Sequence, residues 1–529
     1  MSVSRDDLSY LDEFCGMGGS TAGAAQVPGL VPVFAANHNE QAIQTHRANH
    51  PDVEHYTGDV QKIRVAEVFP RVKVYWASPA CPAWTDARGM KRTFDRTNQL
   101  ALWGAPMSEE DVKDTRSRAL MEEVVTYLRA CAADNDPVLV GVVENVIQCR
   151  KWDDWHRWIG EIRALGYQTR TIALNSMHAL APSSPRCPQS RDRLYVAYWH
   201  QSLGRAPDFA RWLRPVAWCP VCETYVRCIQ SFKKPGVDMG RYRSQYIYRC
   251  PHLGCRNQVL EPETLPAASV IDWSDPGTPI GERTRPLKDK TLARIRAGMQ
   301  RYWEPLLTPT GGTWRESAVR LSEPMPIRTT RESDGLAMPP LVVPMEGRDG
   351  KQAAPIDQPI RTQTCRRENA VAFPPFITPL RGGGDAERAY GVDTPLHTIT
   401  AGGFHHGLAS GVDPLLVQYY GNGRTLPTSG PIGTLPTRER YGVATPPAGS
   451  LDIDQVLFRM LKIEEIQRAM AFAETYQVLD YAKRDQVRLL GNAVTPPAAE
   501  IILSPLIEAI TGVERESGWD AFERMVLTA

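Results

Sequence analysis

The sequence predicts an α/β protein in which a wound sheet is joined to a small cysteine-bearing segment and a β-rich region. Three observations predict this organisation. The first 200 residues alternate short apolar runs with stretches of helical spacing, which is typical of a wound α/β sheet. Residues from about 209 to 265 are basic and aromatic and contain two close pairs of cysteines. Beyond about residue 300 the chain is rich in proline and glycine and contains an internal repeat.

The composition bounds the class of protein. With 529 residues, 42% apolar and 23% charged, the chain is expected to form two or three soluble domains. The net charge of +1 gives no indication of a polyanionic partner. The sequence contains no apolar run of membrane-spanning length and no basic start followed by an apolar stretch, so we expect neither a membrane span nor a signal peptide. The eleven cysteines favour a reducing compartment with a metal site over a disulfide framework.

Five apolar runs are predicted as strands of the sheet: 10–14, 31–35, 72–76, 138–143 and 194–198. Between the last two, apolar side chains recur at helical spacing from Trp152 to Leu165. This pattern predicts a helix, and Gly166 stands where a C-cap would end it.

The repeat region contains four apolar tetrads, PLLTP at 305, PLVVP at 340, PFITP at 375 and PLLVQ at 414. Each precedes a second element, PIRTT at 326, PIRTQT at 359, PLHTIT at 395 and PIGTLPT at 431, with spacings of 33, 36 and 36 residues. Their β-branched residues and turns predict short strands and hairpins that display loops. A disordered proline-rich linker is the alternative.

The segment LDEFCGMGGSTAGAA places a glycine-rich turn directly after the first strand and before a helix. Glycines let the backbone approach a ligand closely. A nicotinamide dinucleotide, another nucleoside cofactor and a mere tight connection all remain open, and the second strand ends with His38 and Glu40 instead of the acid that dinucleotide sites use. Asp59, in TGDV, suits either contact with an adenine amino group or a helix cap.

Cys81, in SPACPAW, follows a predicted strand and is bracketed by Pro79 and Pro82. A free cysteine is commonly a small buried hydrophobic residue, but this position is the edge where open α/β sheets carry chemistry. Other polar residues follow or flank strands in the same way: Glu144-Asn145-Val146, Gln189, Arg191 and Arg193 at alternating positions, and Asn492 in LLGNAV.

These residues carry a family resemblance. FCGMGG, Cys81 in SPAC, ENV at 144–146, QSRDR at 189–193 and GNAV at 491–494 occur in the order found in DNA cytosine-C5 methyltransferases, and RMLKIEEIQRAMAF resembles that family's segment ahead of the final motif. The resemblance covers about 1–200 and 455–510. It implies a Rossmann-like S-adenosylmethionine-dependent methyltransferase sheet in a catalytic domain of residues 1–208 and 455–529, a zinc-ribbon-like insertion at 209–265 and a β-rich target-recognition domain at 266–454.

The resemblance also implies roles for the site residues. Cys81 would attack C6 of a flipped-out cytosine, Glu144 would hold the exocyclic amine and N3, and Arg193 with Arg191 would stabilise the O2 side. A set of twelve residues would line the S-adenosylmethionine pocket: Phe14, Gly16, Met17, Gly18, Gly19, His38, Asp59, Val60, Ser78, Asn492, Ala493 and Val494.

Two positions depart from the family pattern. His38 replaces the acid that usually holds the cofactor ribose, and Pro82 replaces the glutamine that usually follows the nucleophile. The shorter side chain at Pro82 keeps open a modified sulfonium cofactor that carries a larger group.

The inserted segment has metal-ligand spacing. WCPVC and YRCPHLGC place Cys219, Cys222, Cys250 and Cys255 as two knuckles of a structural zinc site, with Cys228 and His252 as substitute ligands. Four reduced cysteines in a small hairpin domain are the alternative.

A basic patch lies among these cysteines, with tyrosines interleaved. It suits either phosphate contact or a solvated face. Its members are Lys233, Lys234, Arg241, Arg243, Arg249 and Arg256, with Tyr242, Tyr246 and Tyr248.

Double-stranded DNA is the expected partner, because some 250 residues separate the arginine motif from the final helix and a duplex-reading domain belongs there. RNA cytosine-C5 methylation and a non-catalytic DNA-binding protein are the rivals. Base-edge contacts are expected from repeat loops carrying Arg328, Arg361, Arg438 and Gln363. We expect a cytoplasmic monomer of bacterial or phage type without membrane contact, and the sequence leaves a cognate restriction endonuclease open.

Overall fold

The computed structural model describes residues 8–79, 109–265 and 462–528, scattered positions from 267 to 292 and position 454, and the strands between 306 and 460 given below. For residues 109–119, residue 528 and those strands, the backbone alone is described. The chain divides into two compact units, residues 1–264 with 467–529 and residues 265–466. The division into three domains that the sequence predicts remains a prediction.

A seven-stranded sheet forms the first unit, in the order β3-β2-β1-β4-β5-β8-β6. Its strands are β1 Leu8–Glu13, β2 Leu30–Asn37, β3 Glu54–Thr57, β4 Val74–Ala77, β5 Val140–Asn145, β6 Tyr167–Asn175 and β8 Asp192–His200; a short β7, Gln189–Ser190, precedes β8. The first five strands in this order pair in parallel, and β8 runs antiparallel to both β5 and β6. This is the Rossmann-like methyltransferase sheet that the sequence predicts.

Ten helices are described along the chain: α1 Gly19–Ala24, α2 Glu40–Asn49, α3 Val65–Val68, α4 Glu109–Ala133, α5 Trp155–Ala164, α6 Phe209–Leu213, α7 Ile463–Ala469, α8 Lys483–Asn492, α9 Pro496–Thr511 and α10 Gly518–Thr528. Short 3-10 turns lie at 60–62, 147–151, 176–178, 201–203, 267–270 and 280–282. The predicted helix before Gly166 is confirmed as α5, and Gly166 has a φ of +91°, which a C-cap glycine adopts without strain.

All five predicted strands are confirmed, and the central strands β1, β4 and β5 form because their apolar runs are largely buried on both faces of the sheet. Every residue of β4 is buried, for example. The strands β3 and β6 were not predicted. Parallel pairing brings the carboxyl ends of β1, β2, β4 and β5 to one edge, where ligands of open α/β sheets bind.

Residues near the end of the chain close one face of this sheet. Helix α9 packs its Ile501 and Ile502 in one core cluster with Val140 and Val142 of β5. A Cβ added to Gly23 of α1 would lie 2.3 Å from the carbonyl oxygen of Pro496, so the two helices touch through their backbones. The stretch Lys483–Thr511 is long and apolar enough to cross a membrane, and 89% of its apolar window is buried inside the fold, as in a core helix.

The inserted segment belongs to the same compact unit as the sheet. It forms a hairpin of β9 Val216–Cys219 with β10 Thr224–Arg227, and a three-stranded sheet of β11 Ile229–Phe232, β12 Tyr246–Arg249 and β13 Val259–Leu260. Its buried Tyr246 and Tyr248 share one apolar cluster with β4 and β5 residues such as Tyr75 and Val143. The segment is therefore continuous with the core of the sheet.

The second unit consists of short antiparallel strands. They are β14 Thr278–Pro279, β15 Leu306–Pro309, β16 Val319–Arg320, β17 Asp334–Ala337, β18 Leu341–Pro344, β19 Ala354–Pro355, β20 Asn369–Ala372, β21 Phe376–Pro379, β22 Tyr390–Gly391, β23 His406–Ala409, β24 Leu415–Gln418, β25 Thr425–Pro427, β26 Ile432–Gly433, β27 Tyr441–Thr445 and β28 Leu457–Met460.

The four apolar tetrads are the strands β15, β18, β21 and β24, and each pairs between two neighbours. Their registers repeat, since Leu306, Leu341, Phe376 and Leu415 each pair with an alanine of a later strand, on β17, β20, β23 and β27 respectively. The prediction of repeated short strands is confirmed. The second repeated elements lie outside the described residues, apart from β26 in the last one.

Candidate active site and cysteine cluster

The edge of the sheet brings together two residues that the sequence singled out. Strand β5 ends with Glu144 and Asn145, and the antiparallel β8 begins beside it, with Glu144 opposite Tyr195 and Asn145 opposite Leu194. Arg193, one residue before this pairing, therefore lies at the same edge. Its Nε is 3.1 Å from Oε1 of Glu144, and their side chains are 14% and 12% exposed.

Burial raises the pKa of Glu144, while the charges of Arg193 and Arg191 and hydrogen bonds from Arg193 and Ser78 oppose that increase. A carboxyl group that is largely desolvated and faces a guanidinium can either hold a proton or accept hydrogen bonds. This is the property that general acid–base chemistry requires.

Asn145 ties the end of β5 to the exit of β4. Its side chain is buried, its Nδ2 donates to the carbonyl oxygen of Pro79 at 3.3 Å, and its Oδ1 accepts from the backbone N–H of Val146 at 2.8 Å. The backbone N–H of Ser78 donates to the carbonyl oxygen of Glu13 at 3.0 Å. These hydrogen bonds fix the position of the chain as far as Pro79. Cys81, two residues further along, lies outside the described residues.

Arg191 and Arg193, predicted to point to the same side, hold different partners. The buried Arg191 donates from Nη1 to the carbonyl oxygen of Gly491 at 3.2 Å and from Nη2 to that of Ala493 at 2.9 Å. The role of Arg191 beside Arg193 in catalysis remains a prediction. Its two hydrogen bonds instead tie it to the final motif, GNAV at 491–494. The fully buried Gln189 next to it makes no hydrogen bond through its amide atoms within the part of the chain that the structure describes.

The glycine-rich turn adopts the conformation that its residues predict. Phe14, Gly16 and Gly18 have φ values of +60°, +55° and +99°, a region that glycine enters without strain. A Cβ on Gly19 would lie 1.9 Å from the carbonyl oxygen of Val494, whereas a Cβ on Gly16 would meet nothing within 4 Å. The turn therefore packs on the final motif on one side and is open at Gly16 on the other.

A buried polar network below this turn was not predicted from the sequence. The carboxylate of Asp12 accepts from Thr21 Oγ1 at 2.7 Å, and His46 Nε2 lies 2.9 Å from the same hydroxyl. Since Thr21 donates to Asp12, His46 Nε2 carries a proton and donates to Thr21, and its Nδ1 accepts from His55 at 2.8 Å. Burial raises the pKa of Asp12 to about 7 and lowers that of His46.

The remaining predicted cofactor residues differ in exposure. His38 and Asn492 are exposed, whereas Met17, Val60 and Ala493 are buried. Asp59 caps the 3-10 turn at 60–62, since its carboxylate accepts from the backbone N–H of Gln61 at 3.2 Å. This is the helix cap that the sequence offered as the alternative to adenine contact.

These residues fit a nucleoside cofactor. The open side of Gly16, the half-buried Phe14 and the exposed His38 follow the carboxyl ends of β1 and β2. Asp59 follows β3 in the same way, where an acid can reach a sugar or base.

The four cysteines of the insertion converge. The thiol sulfurs of Cys219, Cys222, Cys250 and Cys255 lie within 4.8 Å of one another, and those of Cys222 and Cys250 are 3.8 Å apart. Thiolates about 2.3 Å from a tetrahedral zinc ion lie about 3.8 Å from each other, so the donor set and the spacing fit zinc. The cluster could hold a metal ion.

The two substitute ligands have different positions. His252 Nδ1 lies 3.5 Å from the sulfur of Cys222, at the margin of the cluster. Cys228 is a buried core thiol that contacts the carbonyl oxygen of Val226.

The basic patch is not interleaved with aromatic side chains as predicted. Tyr242, Tyr246 and Tyr248 are 7%, 0% and 2% exposed, because alternate residues of a strand share one face and this face is buried. Their rings pack on one another and on His178. Lys233, Lys234 and Arg256 are exposed, and phosphate contact through them remains a prediction.

Residues 8–212 match the family model of the C-5 cytosine-specific DNA methylases. No curated protein sequence matches the chain.

Similar solved structures include the Entamoeba histolytica methyltransferase EhMeth, at 10% identity, 95% coverage of this chain, 98% of that chain and a TM-score of 0.40. Spodoptera frugiperda DNMT2 is 12% identical, with 94% coverage of this chain, 99% of that chain and a TM-score of 0.43. S. pombe Dnmt2 is 12% identical, with 95% coverage of this chain, 98% of that chain and a TM-score of 0.39.

Proposed function

We propose that the chain methylates C5 of cytosine within a specific sequence of double-stranded DNA, and the match of residues 8–212 to the family model of the C-5 cytosine-specific DNA methylases supports this proposal. The observation that carries the proposal is the Glu144–Arg193 pair, 3.1 Å apart at the sheet edge where β4 leads into the Cys81 segment. The elements needed to hold and activate a cytosine ring would thus meet at one place.

The proposed reaction begins with the thiolate of Cys81. C5 of cytosine is a poor nucleophile until a group adds at C6, and a cysteine thiolate adds well because part of it is ionised near neutral pH. The new S–C6 bond moves an electron pair toward C5 and negative charge onto N3 and O2. The ring must leave the helical stack first, at a cost of a few kcal/mol.

Glu144 and Arg193 respond to that charge. Since burial raises the pKa of Glu144, the carboxyl group can retain a proton to give to N3 and can accept from the exocyclic amine. Arg193, paired with it, would stabilise the O2 side. Arg191, bound to the carbonyl oxygens of Gly491 and Ala493, would hold the final motif against the glycine-rich turn.

S-adenosylmethionine, when bound, supplies the methyl group as an electrophilic carbon on its sulfonium. Phe14, Gly16, His38 and Asp59 are the residues we propose to line its pocket, with Asn492–Val494 closing it. Once the methyl group is on C5 and the cofactor has left as its neutral thioether, a base would remove the C5 proton, N3 would return its proton to Glu144, and the thiolate of Cys81 would leave by elimination. The protein's contribution is placement, proton transfer and stabilisation of charge.

The remaining expectations follow from this proposal. The repeats of the second unit suit a target-recognition role, the cysteine cluster suits structural zinc, and the chain would act as a cytoplasmic monomer. RNA as substrate and a larger transferred group at Pro82 are outcomes that the experiment below distinguishes.

The test compares the wild-type chain with Cys81→Ser, and uses Cys131→Ala as a control that removes a thiol beside the start of β5. Duplex DNA with 5-fluorocytosine at the target should trap the wild type and the control covalently, because fluorine blocks the elimination. Bisulfite sequencing of DNA from expressing cells gives the site, and mass spectrometry of the base gives the group transferred. Trapping by Cys81→Ser, or modification of RNA alone, would contradict the proposal.

A further inference from the structure

The inserted segment contacts both strands that carry the Glu144–Arg193 pair. We call residues 216–260 the cysteine module. Asp192, between Arg191 and Arg193 on β8, is 2% exposed. Its Oδ1 accepts from the backbone N–H of Tyr242 in the module at 3.0 Å and from Nδ2 of Asn175 on β6 at 3.0 Å. The first residues of β8 are therefore fixed from the module on one side and from the sheet on the other.

A second contact reaches the other member of the pair. Arg150 lies in the 3-10 turn that follows Glu144 and Asn145. Its Nε and Nη2 each donate at 3.0 Å to the carboxylate of Asp238 in the module. Such a two-pronged pair fixes orientation as well as distance. The module thus holds the segment after Glu144 and the residue before Arg193.

The space between these two contacts is filled by rings. His178, which follows β6 and is 2% exposed, packs edge-on against Tyr242 and Tyr248 with centroids 4.6 and 5.0 Å away. Gln230 Nε2 of the module donates to the carbonyl oxygen of Ala173 at 2.8 Å. A packed joint of this kind transmits a shift of the module to the strands, because close-packed interiors do not absorb displacement.

We propose that the cysteine module holds the Glu144–Arg193 pair in its reactive geometry, and that Asp192 is the positioning residue through which it acts. This inference rests on the proposed function. One of the four thiols lies only a short chain length from the contacts, since Cys250 directly follows the strand β12 that contains Tyr248. A metal ion that draws the thiols together orders β12 and the loop carrying Tyr242, and so orders the donor to Asp192.

Two substitutions of Asp192 distinguish its role as a hydrogen-bond acceptor from the effect of its negative charge. Asparagine keeps an oxygen that can accept both hydrogen bonds but has no charge, whereas alanine loses the acceptor. If Asp192 acts as an acceptor, Asp192→Asn retains the rate and Asp192→Ala lowers kcat by about 10²-fold, the cost of a small misplacement of reacting groups. The KM for DNA stays within about twofold in both, since neither change touches a proposed DNA contact.

The experiment uses the full-length chain loaded with zinc. Measurements are kcat and KM on duplex DNA, the pH profile of kcat, and hydrogen exchange of the amides of residues 191–193 without DNA. Removal of zinc by a chelator, and Asp192→Ala, should each speed this exchange about tenfold. Asp134→Asn, which changes a half-exposed acid paired with Arg71, is the matched control and should change none of them.

Asp238→Asn is the second variant, and it serves if Asp192→Ala fails to fold. It weakens the contact to Arg150 at a half-exposed acid and should lower kcat about tenfold with an unchanged KM. Unchanged exchange after zinc removal overturns the inference, as does a rise in KM alone, which would make the module a DNA-binding surface. A wild type that modifies no DNA contradicts the proposed function instead, and the exchange measurement still decides the coupling.

Discussion

The sheet edge and the cysteine module gather polar side chains in two different ways. At the edge, Asn145 and Pro79 meet across 66 positions of sequence and Arg191 and Ala493 across 302. In the module, two turns bring four thiols within 4.8 Å. The edge is held by many separate contacts that a parallel sheet supplies, whereas the proposed zinc would be one ion shared by all four thiols of the cluster. Loss of one side chain at the sheet edge should therefore disturb the edge only locally. Loss of one thiol from the cluster should disturb the whole module.

The sharpest test of this contrast is loss of a thiol from the cluster. Cys250→Ser should abolish zinc binding and unfold the module, because structural zinc contributes about 10 kcal/mol or more to the folding of small sites. Zinc content and thermal unfolding measure it. Cys228→Ala, which removes a buried thiol outside the cluster, should keep its zinc. Equal zinc content in the two variants would contradict the prediction, because it would show that Cys250 is no more a zinc ligand than Cys228.

At the edge, Glu144→Gln should leave the fold intact and lower the rate of methyl transfer by about 10²- to 10⁴-fold, because the proton donor to N3 is lost. Since burial raises the pKa of Glu144, the wild-type rate should also fall as pH rises through that pKa. Single-turnover kinetics of both enzymes in a series of buffers from acidic to alkaline pH measure both effects. Glu122→Gln, at a surface pair with Arg157, should transfer normally. A fully active Glu144→Gln would remove the acid from the mechanism.

Glu13 tests how the edge tolerates buried charge. It is fully buried beside Tyr75, and burial raises its pKa to about 8 from 4.5. The folded chain keeps a proton that the unfolded chain releases, so this stability is complete below about pH 4.5 and is lost as pH rises through about 8. Glu13→Gln should therefore gain a few kcal/mol over the wild type at pH 9 relative to pH 5.

Denaturant unfolding at the two pH values measures that difference. Glu54→Gln, at an exposed residue of β3, is the control. Parallel curves for Glu13→Gln and the wild type would show that the carboxyl group is ionised in the fold.

The smallest effect is expected on the surface, away from both regions. Arg64 pairs with Glu67 at 2.9 Å, but their side chains are 82% and 64% exposed. Arg64→Ala should leave the free energy of unfolding unchanged within the error of the measurement, because exposed ion pairs are screened by water. Denaturant unfolding at pH 7 measures it. A larger change would mean that the turn at 60–62 supports the sheet edge more than its contacts indicate.

The features of the fold that depend on a local pattern of residues were predicted from the sequence. Apolar runs gave the central strands, tetrads gave the repeats, and cysteine spacing gave the cluster. The strand β3 was not predicted because its sequence, EHYT, is short and mostly polar. The strand β6 was not predicted because its first five residues alternate in burial at the end of the sheet. Both lie on the outer side of strands that bury apolar runs, where pattern is weak.

The site was predicted in its residues but not in its contacts. The alternation of Arg191 and Arg193 places both on one side of the strand, but it does not give the partner of each guanidinium, which for Arg191 comes from the last motif. The network of Asp12, Thr21 and His46 had no sequence signal, since its members lie on the three separate elements β1, α1 and α2. The tyrosine cluster did have one, because the two-residue spacing of Tyr246 and Tyr248 on β12 places both on one face.

The contact of the glycine-rich turn with the final motif has a consequence for biosynthesis. Tyr476 donates to the carbonyl oxygen of Met17 across 459 positions, and Gly19 rests on Val494. On the ribosome, β1 and its turn emerge long before the helices that cover them, with every repeat strand synthesised in between. Nascent chains therefore carry an uncovered apolar sheet face until the last helices are synthesised, and a partly folded chain that exposes such a face is prone to aggregation.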